Sequence, residues 1–143
     1  MKYIVAHVED WDQVAQAVAK DLKPGMILAL TGPLGAGKTT FVQALSRVLG
    51  AKRNPRSPTF SLVRSYTVKA GEIKTLVHVD AYRIEDERDV LPLGLDEHLS
   101  EPGTVIAIEW SERVANFIRA TKVPVLSVTI EPDPSGVRRV DVR

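Results

Sequence analysis

The sequence contains no cysteine. That excludes a disulfide framework and a thiolate metal centre, and it suits a reducing compartment. No apolar run approaches the roughly 20 residues that a membrane-spanning helix needs. Residues 1–8 lack the long apolar centre and small-residue cleavage site of a secretory signal. A cytoplasmic protein is the expectation. Charge of neither sign is in excess: 19 Lys and Arg against 18 Asp and Glu leave a net +1. Such a balance gives no footprint for strong, general nucleic-acid binding. The basic clusters are small. Arg138-Arg139 with Arg143 reads as solvated surface, whereas Lys52-Arg53 with Arg56 reads equally as a solvated loop or as a contact for a partner. An N-K-x-D motif is also missing, which favours ATP over GTP in any nucleotide site.

At 143 residues the chain is expected to form a single domain over residues 1–143. A domain of that size buries about two-thirds of its unfolded surface and needs no staples. Its most informative stretch is Gly32-Pro33-Leu34-Gly35-Ala36-Gly37-Lys38-Thr39. This is the full G-x-x-x-x-G-K-[ST] pattern of a phosphate-binding loop. Glycines let the backbone N–H groups turn inward around phosphate oxygens. Lys38 supplies a point charge for the outer phosphates, and Thr39, followed by Thr40, offers a hydroxyl to Mg²⁺. A following helix would aim its positive end at the same anion.

The flanking sequence fits. Residues 26–30 are an apolar run suited to a buried parallel strand. Phe41, Leu45, Val48 and Leu49 recur at helical spacing, and Gly50 stands where a helix end favours glycine. Residues 3–8 alternate like an edge strand, and Asp10 or Asp12 is placed to cap a helix whose face carries Val14, Val18 and Leu22. Residues 51–60 read as a polar loop. Residues 61–69 and 72–80 read as a hairpin about Ala70-Gly71. Short helices are expected over residues 84–101, broken at Pro92-Leu93-Gly94, with the charged run at residues 85–89 on a solvated face. A strand over 104–110, a helix over 112–120 and a closing pair of strands over 125–130 and 137–142 complete the chain. The predicted fold is α/β: a P-loop NTPase with a mainly parallel central sheet flanked by helices, plus antiparallel strands.

A triphosphate site also needs carboxylates, one for Mg²⁺ and one group to orient or deprotonate water. In α/β sheets such acids stand at the C-terminal ends of apolar strands. Leu76-Val77-His78-Val79-Asp80 and Val105-Ile106-Ala107-Ile108-Glu109 both end that way. Either acid alone reads as readily as a helix cap, but the pair beside a phosphate loop reads as a site. Spacing does not decide which acid holds the metal. Arg83 is placed to reach a phosphate or an acid, or to form a plain surface ion pair. His78 shares a strand face with Asp80 and reads as structural. Trp11 reads as core, with base stacking as the alternative.

Taken together and in order, these segments resemble the TsaE (YjeE) family of bacterial tRNA threonylcarbamoyladenosine biosynthesis. The resemblance rests on Leu34-Gly35-Ala36-Gly37-Lys38-Thr39-Thr40, Ser57-Pro58-Thr59-Phe60, His78-Val79-Asp80-Ala81-Tyr82-Arg83, Leu93-Gly94-Leu95-Asp96-Glu97 and Ile108-Glu109-Trp110. It covers nearly the whole chain. It implies an ATPase, weak alone, that acts with TsaD and TsaB and meets tRNA through that complex. By position it implies Thr39 and Glu109 as Mg²⁺ ligands, Asp80 as the organiser of water, and Ser57 and Thr59 in a nucleotide-sensing switch. Pro33 stands where the family usually has an acidic or amide residue, and Trp11 where it often has threonine. The rivals on the same scaffold are a small-molecule kinase and a nucleotide-gated scaffold without catalysis.

Overall fold

The computed structural model describes residues 1–52 and 62–143. In chain order its elements are β1 (Lys2–Val5), α1 (Asp10–Asp21), β2 (Ile27–Thr31), α2 (Lys38–Val48), β3 (Val63–Ala70), β4 (Ile73–Asp80), α3 (Leu95–Ser100), β5 (Thr104–Glu109), α4 (Ala115–Thr121), β6 (Val125–Pro132) and β7 (Arg138–Val142). Two 3-10 segments, Glu87–Leu93 and Ser111–Val114, precede α3 and α4. The strands form one sheet in the order β1-β7-β6-β2-β5-β4-β3. Its four central strands are parallel and the outer ones are added antiparallel. This is the predicted α/β layout.

The sequence dictates the centre of the sheet. Strands β2 and β5 carry almost no polar side chain and are buried on both faces, as a strand covered by helices on either side must be. Leu28, Leu30, Val105 and Ala107 face α1 and α2 through Val14, Val18, Phe41 and Leu45. Ile27, Val77, Val79, Ile106 and Ile108 face the other way, onto Val90, Leu95, Val114 and Ile118. Each fully buried Leu, Ile or Phe contributes about 1.5–3 kcal/mol. The period-two alternation therefore fixes which helices lie on which face, and it holds the strand ends in register.

Two local departures from expectation have clear causes. The first strand stops at Val5, not residue 8, because the Asp10 carboxylate accepts from the N–H groups of Ala6 and His7, both at 2.9 Å. Those amides are turned away from the sheet, and α1 begins at Asp10 itself. The charged run at residues 85–89 is not only a solvated face. Asp86 accepts from the Arg88 N–H at 2.9 Å, and Glu87 accepts from the Phe117 N–H at 2.8 Å, tying the 3-10 segment to α4. No helix among the described residues is long and apolar enough to cross a membrane.

Candidate functional site

The parallel strands deliver their C-terminal ends to one edge, and there the loop of residues 32–37 links β2 to α2. Two glycines are required by contacts as well as by backbone. A Cβ at Gly32 would lie 2.7 Å from the Ile130 carbonyl oxygen, so β6 presses directly on the start of the loop. A Cβ at Gly37, whose φ is +110°, would lie 2.6 Å from Cζ2 of Trp11. Trp11 is 2% exposed and packs on Phe41 at 5.9 Å between ring centroids. It forms the apolar floor of the loop, so the core reading of Trp11 holds.

Lys38 opens α2 and turns back on the loop. Its ammonium donates to the carbonyls of Gly32 (2.5 Å) and Pro33 (2.9 Å) and lies 4.0 Å from the centre of the Trp110 ring. Burial lowers its pKa, against the raising influence of Glu109, Glu112 and Asp80. The Thr39 hydroxyl lies 2.9 and 3.0 Å from the two oxygens of Glu109. Glu109 is 3% exposed, and its Oε2 also meets His78 Nε2 at 2.5 Å. A buried polar group needs hydrogen-bond partners to offset its lost hydration, and these two side chains supply them to Glu109.

Asp80 and Glu109 end neighbouring parallel strands and pair directly in register. Asp80 Oδ1 accepts from the Tyr82 N–H at 3.0 Å, which fixes the carboxylate at the turn after β4. A cavity of about 260 Å³ gathers these groups. Gly35, Ala36, Gly37, Lys38, Thr39 and Thr40 line it on one side, with Asp80, Tyr82, Glu109, Trp110 and Arg138 around the rest. A larger concavity of about 580 Å³ lies over β1, β6 and β7. Its charges are mixed and it lacks the glycine-rich loop, so the chemistry is concentrated in the smaller one.

The structure therefore brings together most of the residues singled out from sequence. Arg83 is exposed, does not line the cavity and makes no hydrogen bond or ion pair among the described residues. Ser57, Thr59, Arg53 and Arg56 lie outside the described residues. One expectation is corrected. Arg138 is not solvated surface: its guanidinium donates from Nε to the Ala36 carbonyl at 2.8 Å. No local signal marks it, because the contact spans 102 residues and exists only once β7 lies beside the loop. Arg139 and Arg143 are exposed, as expected. Trp110 lines the cavity, and Arg113 escaped the sequence reading as a neighbour of the site. Trp110 adopts a left-handed backbone (φ +57°), and Arg113 lies 5.3 Å from its ring.

Among the described residues no cluster of three or more His, Cys, Asp or Glu offers a ready metal cage. A hydroxyl and a buried carboxylate, with a second carboxylate nearby, do fit Mg²⁺. That ion prefers oxygen donors and fills much of its shell with water and substrate phosphate.

A glycine-rich loop between a central parallel strand and a helix, facing two strand-terminal acids, defines an α/β protein whose site lies at the carboxyl edge of its sheet. Residues 5–140 match the family model described as "Threonylcarbamoyl adenosine biosynthesis protein TsaE", and the chain belongs to the TsaE family. It is 38% identical over 126 residues to the tRNA threonylcarbamoyladenosine biosynthesis protein TsaE of Bacillus subtilis, covering 88% of this chain and 76% of that protein. The TsaE of Aquifex aeolicus is 41% identical over 113 residues, covering 77% and 76%. That of Treponema pallidum is 35% identical over 130 residues, covering 91% and 89%. Among solved structures, the crystal structure of Bacillus subtilis YdiB superposes with a TM-score of 0.69 at 27% identity, over 98% of this chain and 82% of that one.

Proposed function

We propose that the chain is a P-loop NTPase, a Mg²⁺-dependent ATPase of tRNA threonylcarbamoyladenosine biosynthesis. It works in the cytoplasm on a TsaD–TsaB complex, sustains that complex's cycle by hydrolysing ATP, and meets tRNA only through it. The observation that carries this reading is the pairing of Thr39 with Glu109 across the mouth of the loop, beside Lys38. A hydroxyl and a carboxylate so placed serve a metal–phosphate group and have no evident purpose in packing.

The chain's own residues then divide the work. Gly32, Gly35, Ala36 and Gly37 carry the backbone that wraps the phosphates, and the amides opening α2, at Lys38, Thr39 and Thr40, add the positive end of the helix. Lys38 exchanges the Gly32 and Pro33 carbonyls for phosphate oxygens and stabilises charge on the transferred group. Thr39 and Glu109 hold Mg²⁺, which when bound neutralises the phosphate charge. Asp80, anchored by the Tyr82 N–H, accepts a hydrogen bond from the attacking water and orients it. Ser57 and Thr59 belong to a segment that reports the nucleotide state to the partner. Arg83, free on the surface among the described residues, is a candidate partner contact.

The test uses Lys38→Ala with ATP, measured alone and with a TsaD–TsaB complex. Nucleotide binding or turnover should fall sharply, and the complex should raise wild-type turnover. Unchanged ATPase activity in the variant would sink the catalytic reading. Absence of both binding and stimulation by the complex would sink the partner reading.

A further inference from the structure

The geometry points to Arg138 as a positioning residue that sets the phosphate-binding conformation of the loop from the far end of the chain; this rests on the nucleotide reading above. Its planar fork spans two segments. Nε donates to the Ala36 carbonyl at 2.8 Å, one terminal nitrogen approaches the Gly35 carbonyl at 3.5 Å, and the other donates to the Gly136 carbonyl at 3.2 Å. Gly35 and Ala36 belong to the loop, and Gly136 to the turn between β6 and β7. That turn is itself tied, with the Asp133 N–H on the Val137 carbonyl at 2.8 Å and the Gly136 N–H on the Asp133 carbonyl at 3.0 Å. Because β6 also presses on Gly32, the β6–β7 hairpin supports the loop at both ends.

The consequence follows from peptide geometry. A trans peptide carries its C=O and N–H on opposite sides, and no cis bond occurs among the described residues. Holding the Ala36 carbonyl therefore sends the Gly37 N–H away from Arg138. The outward carbonyls are satisfied by a cation and the amides are left for an anion. Among the described residues no carboxylate is paired with Arg138, so its charge remains to favour the bound phosphate. A lysine keeps that charge but, as a compact point donor, cannot bridge two segments as the guanidinium does.

The decisive measurement is calorimetric titration of ADP and ATP, with Mg²⁺, into the full chain, its Arg138→Ala variant and its Arg138→Lys variant. The amide resonance of Gly37 is followed in the nucleotide-free proteins. The loop wraps phosphates common to both nucleotides, so the alanine variant should lose about tenfold in affinity for ADP and ATP alike. The lysine variant should recover only part of that loss. The Gly37 resonance should move in both variants. Loss for ATP alone would assign Arg138 to the terminal phosphate, and full rescue by lysine would reduce it to a bare charge; either overturns the clamp. So does unchanged affinity, or an unmoved Gly37 resonance. A wild-type protein that binds neither nucleotide overturns the parent reading, while the free-protein resonance still decides the clamp. Should the alanine variant fail to fold, the lysine variant carries the same comparison.

Discussion

Substituting Gly37→Ala attacks the loop where backbone and packing demands coincide. At φ +110° any side chain is strained, at about 1–2 kcal/mol for a left-handed L-residue. The new methyl would stand 2.6 Å from Trp11 Cζ2. That ring is lodged between the loop and Phe41 and cannot swing out, so overpacking adds about 1–3 kcal/mol. The less flexible unfolded chain returns about 0.4–1 kcal/mol, leaving a net loss of about 2–4 kcal/mol. Trp11→Phe alone opens space in the core and costs about 1–2 kcal/mol. Combined, the two changes should cost at least 1 kcal/mol less than additivity, roughly the steric share of the Gly37→Ala penalty. The backbone share remains, because it is indifferent to the ring. Urea unfolding of the wild type, both single variants and the double variant measures each quantity. Costs that add to within about 0.5 kcal/mol would show that the indole does not bear on Gly37, and the account of Trp11 as the floor of the loop would be wrong.

Two further outcomes follow from the same contacts. His78→Leu removes the closest partner of the buried Glu109 carboxylate; it should cost about 1–3 kcal/mol in stability and raise the Mg²⁺ concentration needed for nucleotide binding. His78→Gln, which keeps a donor, should lose less, and equal behaviour of the two variants would refute the pairing. Asp10 is held below the ordinary carboxylate value of 3.8 by its bonds to the His7 and Ala6 amides, and Asp133 chiefly by the Ser135 hydroxyl. Such stability is present above 3.8 and lost as pH falls through the lower folded-state values. The urea midpoint of Asp10→Asn should therefore depend less steeply on pH below about pH 4 than that of the wild type, and parallel slopes would contradict it.

What the sequence made legible was local or strongly periodic. The strand, loop and helix around residues 27–48 are adjacent in the chain, so their motif and their geometry coincide. Asp80 and Glu109 could be placed at strand ends because each closes an apolar run, whereas the adjacency of those strands came only with the sheet. Contacts between distant segments were not legible. The grip of Arg138 on the loop depends on β7 reaching it across the sheet, and nothing near residue 138 announces that. The His78–Glu109 contact joins two parallel strands whose register is set by packing. Even the early end of β1 follows from one side chain, since Asp10 captures two amides that alternation alone had assigned to a strand.

The disposition of charge within the cavity adds a separate argument for a metal–nucleotide ligand. A buried lysine and a buried glutamate in one pocket would ordinarily lower their energy by pairing, since each alone pays heavily for lost hydration. Here they do not pair. Lys38 is spent on two loop carbonyls and an indole face, and Glu109 on a hydroxyl and an imidazole. Among the described residues no ion pair joins Lys38 to any acid. Burial accordingly disfavours the ammonium, and the nearby carboxylates offset that only in part. The fold thus keeps Lys38 and Glu109 in one pocket but apart, each held by other partners. A phosphate chain beside Lys38 and a divalent cation between Thr39 and Glu109 would satisfy both at once. Neither an uncharged metabolite nor a lone anion would satisfy both groups, an asymmetry that favours the proposed metal–nucleotide ligand over either alone.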